Sequence, residues 1–406
     1  MRRIRPDLSR VWFITALLLG LVLAACGATP EPTSLPTDTP LPLGTLRPTF
    51  TPVPAVAQAT LEPTPAAEGT KGGTGPEATN TPAPSPTPPE YTPTPAATRA
   101  TGSLPKLSGA LLFPVFDTTA KTYHIYRLDL ASGKMEKFVL QGSQPAITPD
   151  GKRVGWRSWK KDQRGLLSRP MDSPDTWQMI TFAEAARPDW APDGQRFVFP
   201  SRQEPDRQSR LYLFTGAGDE PFIEIQRQGS PILGRTPAFL PDGRIVYQGC
   251  VENACGLYLM DANGSNPRQL TGFIDDTTPA VSPDGKKIAY MSKVSGYWQV
   301  NVVNTDGTGQ HHLTDDWYWN GLPVWSPDGK YLIFVSTRDE NWPDNFVLSE
   351  NVNFRLWLMS ADGKNQRPLN DFTFRLDGVP AGVPAQEVSG WIEERLVWLS
   401  ATASPE

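Results

Sequence analysis

The chain has 406 residues and a formal net charge of −5, with 38 Lys and Arg against 43 Asp and Glu. That balance favours neither nucleic acid nor an anionic membrane face as a partner. Proline supplies 43 residues, about twice its average share, and many fall before residue 105, so the packed part is shorter than the chain.

Residues 1–25 have the build of a targeting segment. Arg2, Arg3 and Arg5 form a basic start, and the apolar stretch from Val11 to Ala25 is too short to span a bilayer comfortably. It ends Leu23-Ala24-Ala25-Cys26, which resembles the lipobox of bacterial lipoproteins. The resemblance implies a diacylated Cys26 at the mature N-terminus, Sec export and a membrane attachment through lipid. The protein is then expected on the outer face of the cell membrane, or on the outer membrane of a cell that has one. An ordinary secretory signal with an incidental Cys, or an uncleaved anchor, are the other readings. Residues 26–105 follow as a Thr-Pro and Ala-Pro-rich linker, for example Thr81-Pro-Ala-Pro-Ser-Pro-Thr-Pro-Pro89. Such a segment buries too little apolar surface to offset its ordering entropy, and its prolines stiffen it. It is expected to be a disordered stalk whose upper-bound reach, at full extension of ~3.1 Å per residue, lies beyond about 200 Å.

From residue 106 to 402 the chain repeats. Pro279 to Ser292 reads PAVSPDGKKIAYMS, and related frames surround Asp150, Asp193, Asp242 and Asp328 as well as Asp284. Ser-Pro-Asp-Gly suits a type I turn, with Pro presetting φ at the second position and Gly closing the fourth. Four and six residues after most of these aspartates come apolar and aromatic side chains: Val154/Trp156, Phe197/Phe199, Ile288/Tyr290 and Leu332/Phe334; the Asp242 copy is one residue short and gives Ile245/Tyr247. The residue between is also apolar or small, so the strand is covered on both faces. A second apolar run follows, such as Leu257-Tyr258-Leu259-Met260, then an Asn-Gly or Asp-Gly turn and a short polar strand such as His311-His312. Each unit is therefore a four-stranded antiparallel meander A-B-C-D, and units repeating at roughly 40–45 residues predict an all-β propeller.

The blade count is six, with seven the alternative. Gly109 to Phe116 reads as a B strand lacking its A strand, and Arg395-Leu396-Val397-Trp398 reads as a further B strand preceded by an A strand at 385–388. A C-terminal A strand would complete the first unit, but the B-like runs then number one more than six blades need.

The Pro-Asp-Gly frame resembles the repeats of the six-bladed TolB propeller, found also in relatives of prolyl oligopeptidase. The resemblance covers about residues 107–400 and implies the fold. A lipid anchor and stalk stand where TolB has its N-terminal α/β domain, and no hydrolase domain follows, so neither the Tol–Pal role nor peptidase activity carries over.

No G-x-S-x-G elbow is present, and the Gly-Lys pairs of the turns are never followed by Ser or Thr, so neither an α/β-hydrolase nor a P-loop is built. No catalytic set, metal site or cofactor is expected; His311-His312 sits on an outer strand. Cys250 and Cys255 bracket a hairpin loop, and in an exported protein such a pair is expected to form a disulfide. Asp150, Asp193, Asp242, Asp284 and Asp328 are structural turn residues. In a propeller the A–B and C–D turns share one face and the B–C and D–A loops the other. The irregular loops gather on the second face: Asp315-Asp316-Trp317-Tyr318-Trp319, and Asp339 to Asn353 with Trp342. Exposed aromatics on variable loops favour recognition, so Trp317, Tyr318, Trp319, Trp342, Asp315 and Asp316 are the candidate ligand-binding residues. The competing reading is that these tryptophans cover the channel rim and the acids are solvated. The function expected is a tethered, monomeric, non-catalytic recognition module for an envelope protein, peptide or glycan. The alternative is a propeller enzyme, a metal-assisted polysaccharide hydrolase or lyase using the acidic loops.

Overall fold

A computed structural model of the chain describes residues 103–216, 221–338, 352–388 and 390–401. The expected signal segment, Cys26, nearly all of the linker, and Trp342 lie outside the described residues. Six antiparallel sheets are arranged as blades: I (residues 110–140 with 397–399), II (142–180), III (189–224), IV (234–269), V (277–312) and VI (320–368); five are four-stranded, and blade VI carries a fifth short strand, Phe374–Arg375, paired with residues 353–354. Blade II shows the pattern from axis to rim: Gly142–Ile147, Arg153–Ser158, Gly165–Pro170 and Trp177–Ile180. The long interval between Asp193 and Asp242 is explained by a small extra hairpin, Gln226–Arg227 with Ser230–Pro231, after blade III.

Each Pro-Asp-Gly turn closes as its residues dictate. The Gly285 and Gly329 N–H groups donate to the Ser282 and Ser326 carbonyls at 2.8 Å. Asp284 Oδ1 accepts from the Ser282 hydroxyl at 2.7 Å and from the Lys286 N–H at 3.1 Å, and the hydroxyl above all holds its carboxyl below the usual range. Gly285 sits at φ 69°, a left-handed conformation that a side chain would strain.

The B-strand pairs are buried as the pattern requires: Val154, Phe197, Phe199, Ile288, Tyr290, Leu332 and Phe334 all lie in the core. Apolar clusters join neighbouring blades right round the ring. Val246 and Leu257 of blade IV meet Ile288 and Tyr290 of blade V; Val300 and Val302 of blade V meet Leu332 and Phe334 of blade VI. Leu111 and Phe113 of blade I meet Ile333 and Leu356 of blade VI.

The surplus strand has a simple origin. Val397–Leu399 is not a B strand. It pairs antiparallel with Ala110–Leu112 as the innermost strand of blade I, so the C-terminal strand closes the ring. Residues 385–388 form no strand: Ala385–Glu387 is a 3-10 turn with no buried residue. An inner strand and a B strand are both covered on two faces, so their apolar patterns coincide, and counting such runs overshoots by one.

The inner strands share a further device. The residue before the inner proline has positive φ in five blades: Gln144, Arg187, Thr236, Thr278 and Leu322. The register shifts there in blades II, IV, V and VI. A bulge of this kind re-aims a side chain, and all five residues are buried.

Candidate functional site

The two faces of the ring are built differently. On the B–C and D–A face, the chain between blade VI and the closing strand crosses the propeller, touching every blade. Tyr123 Oη of blade I donates to the Leu376 and Gly378 carbonyls at 3.1 Å. Arg157 of blade II donates to the Glu387 carbonyl at 3.1 Å, and Arg164 pairs with the Glu387 carboxylate at 2.9 Å. Arg202 of blade III donates to the Gln386 carbonyl at 3.2 Å, Arg395 pairs with Asp189, and Arg235 of blade IV lies 3.8 Å from Glu393. Trp391 stacks on Trp319 with centroids 5.9 Å apart and packs on Phe354 of blade VI and Trp298 of blade V.

Within this crossing, Glu394 is buried, 3% exposed. Its Oε2 accepts from the Gln144 N–H at 3.2 Å. Burial pushes its carboxyl up to about 8, outweighing the Ser143 hydrogen bond and the positive charge of Arg157. The same burial pulls Arg157 down to about 10 and Arg187 to about 9.

The 315–319 loop divides into a core half and a surface half. Asp316 is buried; it accepts from the Tyr318 N–H at 3.0 Å and Asn320 Nδ2 at 2.8 Å, and pairs with Arg338 at 2.5 Å. Trp319 is a core residue under Trp391. Asp315 and Tyr318 are half-buried. Trp317 is 53% exposed and meets Tyr297 edge-on at 5.6 Å. Of the aromatics singled out on this loop, Trp317 therefore offers the broad free face; nothing in residue type separates it from Trp319. Cys250 and Cys255 face each other across the blade IV hairpin, Cα atoms 4.0 Å apart, and are disulfide-bonded.

On the Pro-Asp-Gly face the axis opens into a cavity of about 290 Å³. Inner strands of blades I, II, V and VI wall it, with Trp325 and Trp398 at the side and Pro149, Pro283 and Pro327 among its lining. Arg187 and Glu394 also line it. The uniformity of the turns gave no sign of this space, because much of its wall is inner-strand residues rather than loops that vary in length.

Residues 225–368 match the family model for the TolB beta propeller domain. A protein of Agrobacterium fabrum, itself uncharacterised, is 30% identical over 234 residues, covering 56% of this chain and 75% of the relative. The chain belongs to the TolB-like propeller family. The Tol-Pal system protein TolB of Francisella tularensis is 26% identical over 199 residues, 47% of this chain and 45% of the relative. This TolB-like chain thus aligns with less than half the length of that TolB. TolB from Acinetobacter baumannii has the same fold, with a TM-score of 0.52 at 18% identity, over 68% of this chain and 66% of that one.

Proposed function

We propose that the protein is an exported, lipid-anchored recognition module that binds a protein partner of the cell envelope without chemistry of its own. The observation that carries the reading is Trp317, a large ring exposed on a loop that is already fixed. Asp316 holds the loop from below through Arg338 and Asn320, and Tyr297 braces the ring from the side. An aromatic ordered before binding loses little entropy on contact, which is how hot-spot residues give affinity. The relatives named as components of the Tol-Pal system support a protein rather than a small molecule as partner. Trp317→Ala should weaken capture of that partner from envelope extract by about 1–4 kcal/mol and leave the melting temperature nearly unchanged. Undiminished capture by the folded variant would refute the site. The anchor rests on the Leu23-Ala24-Ala25-Cys26 pattern: intact-mass analysis should find acyl chains on the wild-type protein and none on Cys26→Ala, and an unacylated wild type would remove that part.

A further inference from the structure

Between blade VI and the closing strand, the chain leaves the core at Leu376 and re-enters it at Trp391. The neck between these points is closed: Asp377 Oδ1 accepts from the Trp391 N–H at 3.1 Å. Surface loops whose ends meet in this way are frequently functional. Of residues 378–388 only Pro380 and Val383 are buried. The segment keeps its own turns, with the Val383, Glu387 and Val388 N–H groups donating to the Pro380, Pro384 and Ala385 carbonyls at 3.1, 2.9 and 3.0 Å. Its shape therefore owes little to the ring beneath it.

The ring surface that it covers has the build of a peptide groove. Phe116 and Tyr123 of blade I and Trp159 of blade II form an aromatic floor, on which Val383 and Val388 rest. Arg157 and Arg164 lie over the Trp159 ring at 4.3 and 5.0 Å. Arg157 donates to the Glu387 carbonyl, Arg202 donates to the Gln386 carbonyl, and Arg164 holds the Glu387 carboxylate at 2.9 Å. On the ring side, Glu184 is shared by Arg202 and Arg207, and the charge of Glu393 acts on Arg157. The acid that the loop alone contributes is thus Glu387, at Arg164. An apolar floor with a few placed polar groups is how binding sites fix a ligand, and an arginine–carboxylate pair is among the stronger hydrogen bonds.

We propose that residues 378–388 are a built-in occupant of this groove, and that a partner polypeptide carrying an apolar-Pro-x-x-Glu-apolar segment displaces them. Val383-Pro384-Ala385-Gln386-Glu387-Val388 is the pattern that the groove already holds. A tethered occupant acts as though present at millimolar concentration, so it excludes weak ligands and yields to a segment that gains further contacts elsewhere. The closed neck lets the loop leave without unseating Leu376 or Trp391. The groove lies over blades I to III and does not depend on Trp317, so the two sites stand or fall separately.

Fluorescence anisotropy of a labelled peptide copying residues 382–388, Gly-Val-Pro-Ala-Gln-Glu-Val-amide, titrated with the full chain, tests this. The wild-type protein should bind it weakly. Val383→Ser with Glu387→Gln, which loosens the loop, should bind it about tenfold or more tighter. Glu387→Gln alone should gain several-fold, and it keeps the test open should the double variant fail to fold. Adding Arg164→Gln to Glu387→Gln should remove that gain, and the same peptide with Gln in place of Glu should bind Glu387→Gln several-fold more weakly. No binding by the folded loop variants, or binding no tighter than by the wild type, would overturn the proposal and leave the loop a structural cover. Equal binding of the Glu and Gln peptides, or an Arg164→Gln variant that keeps the gain, would overturn the acidic assignment.

Discussion

At pH 8 and above, Glu394→Gln should melt well above the wild-type protein, and the margin should close as the pH is lowered towards 5. The carboxyl ionises near 4.3 in an unfolded chain but only at about 8 in the fold. Between those values the folded state keeps a proton that the unfolded state has released, so stability falls as pH rises. The contribution is fully present below the unfolded value and is lost as the pH climbs to the folded one. Burial of its side chain is the main cause; Ser143, the Gln144 N–H, Arg157 and Arg187 oppose it. Gln copies the uncharged acid at every pH, so the gain at alkaline pH should be on the order of a few kcal/mol. Calorimetric melting from acid to alkaline pH reads this directly. Parallel curves for the two proteins would show that Glu394 is charged in the fold.

Trp391→Ala should cost about 3–5 kcal/mol in urea unfolding, the range for removing a large buried aromatic. The ring packs against Trp319, Phe354 and Trp298, and so pins the crossing segment to blades V and VI. The loss should appear as a lower midpoint with an unchanged slope, because the exposed area of the unfolded chain is the same. Trp317→Ala, at a surface position, should stay within about 0.5 kcal/mol of wild type. If both cost the same small amount, the crossing is not a packed part of the ring, and the mouth it covers would be open.

Much of this architecture was legible because a propeller repeats its own local rules. The Pro-Asp-Gly turns need Pro and Gly at fixed positions, and the strand that follows is apolar on both faces in every blade, so turn chemistry and periodicity agree. The closing strand was misread for the same reason: Val397-Trp398-Leu399 is covered on both faces like a B strand, and its true partner, Ala110–Leu112, is far away in sequence. The candidate site was less legible. Trp317 and Trp319 are two residues apart and alike in type, yet one is exposed and the other lies beneath Trp391. That difference depends on where residues 376–395 cross, a tertiary fact with no local signature. Arg187 was not singled out because its sequence context, Ala186-Arg187-Pro188-Asp189, looks like an ordinary polar turn. The x-Pro dipeptide recurring before the turns was the available signal, since Gln144-Pro145, Thr236-Pro237, Thr278-Pro279 and Leu322-Pro323 stand at corresponding places.

The recognition reading is tested most directly by placing a photo-crosslinking residue at position 317 of the full chain in intact cells, with position 134 as control. Lys134 is well exposed on a C–D turn of the opposite face. The account predicts one defined protein adduct from position 317 on irradiation and none from position 134. No adduct at 317, or the same adducts from both positions, would contradict it.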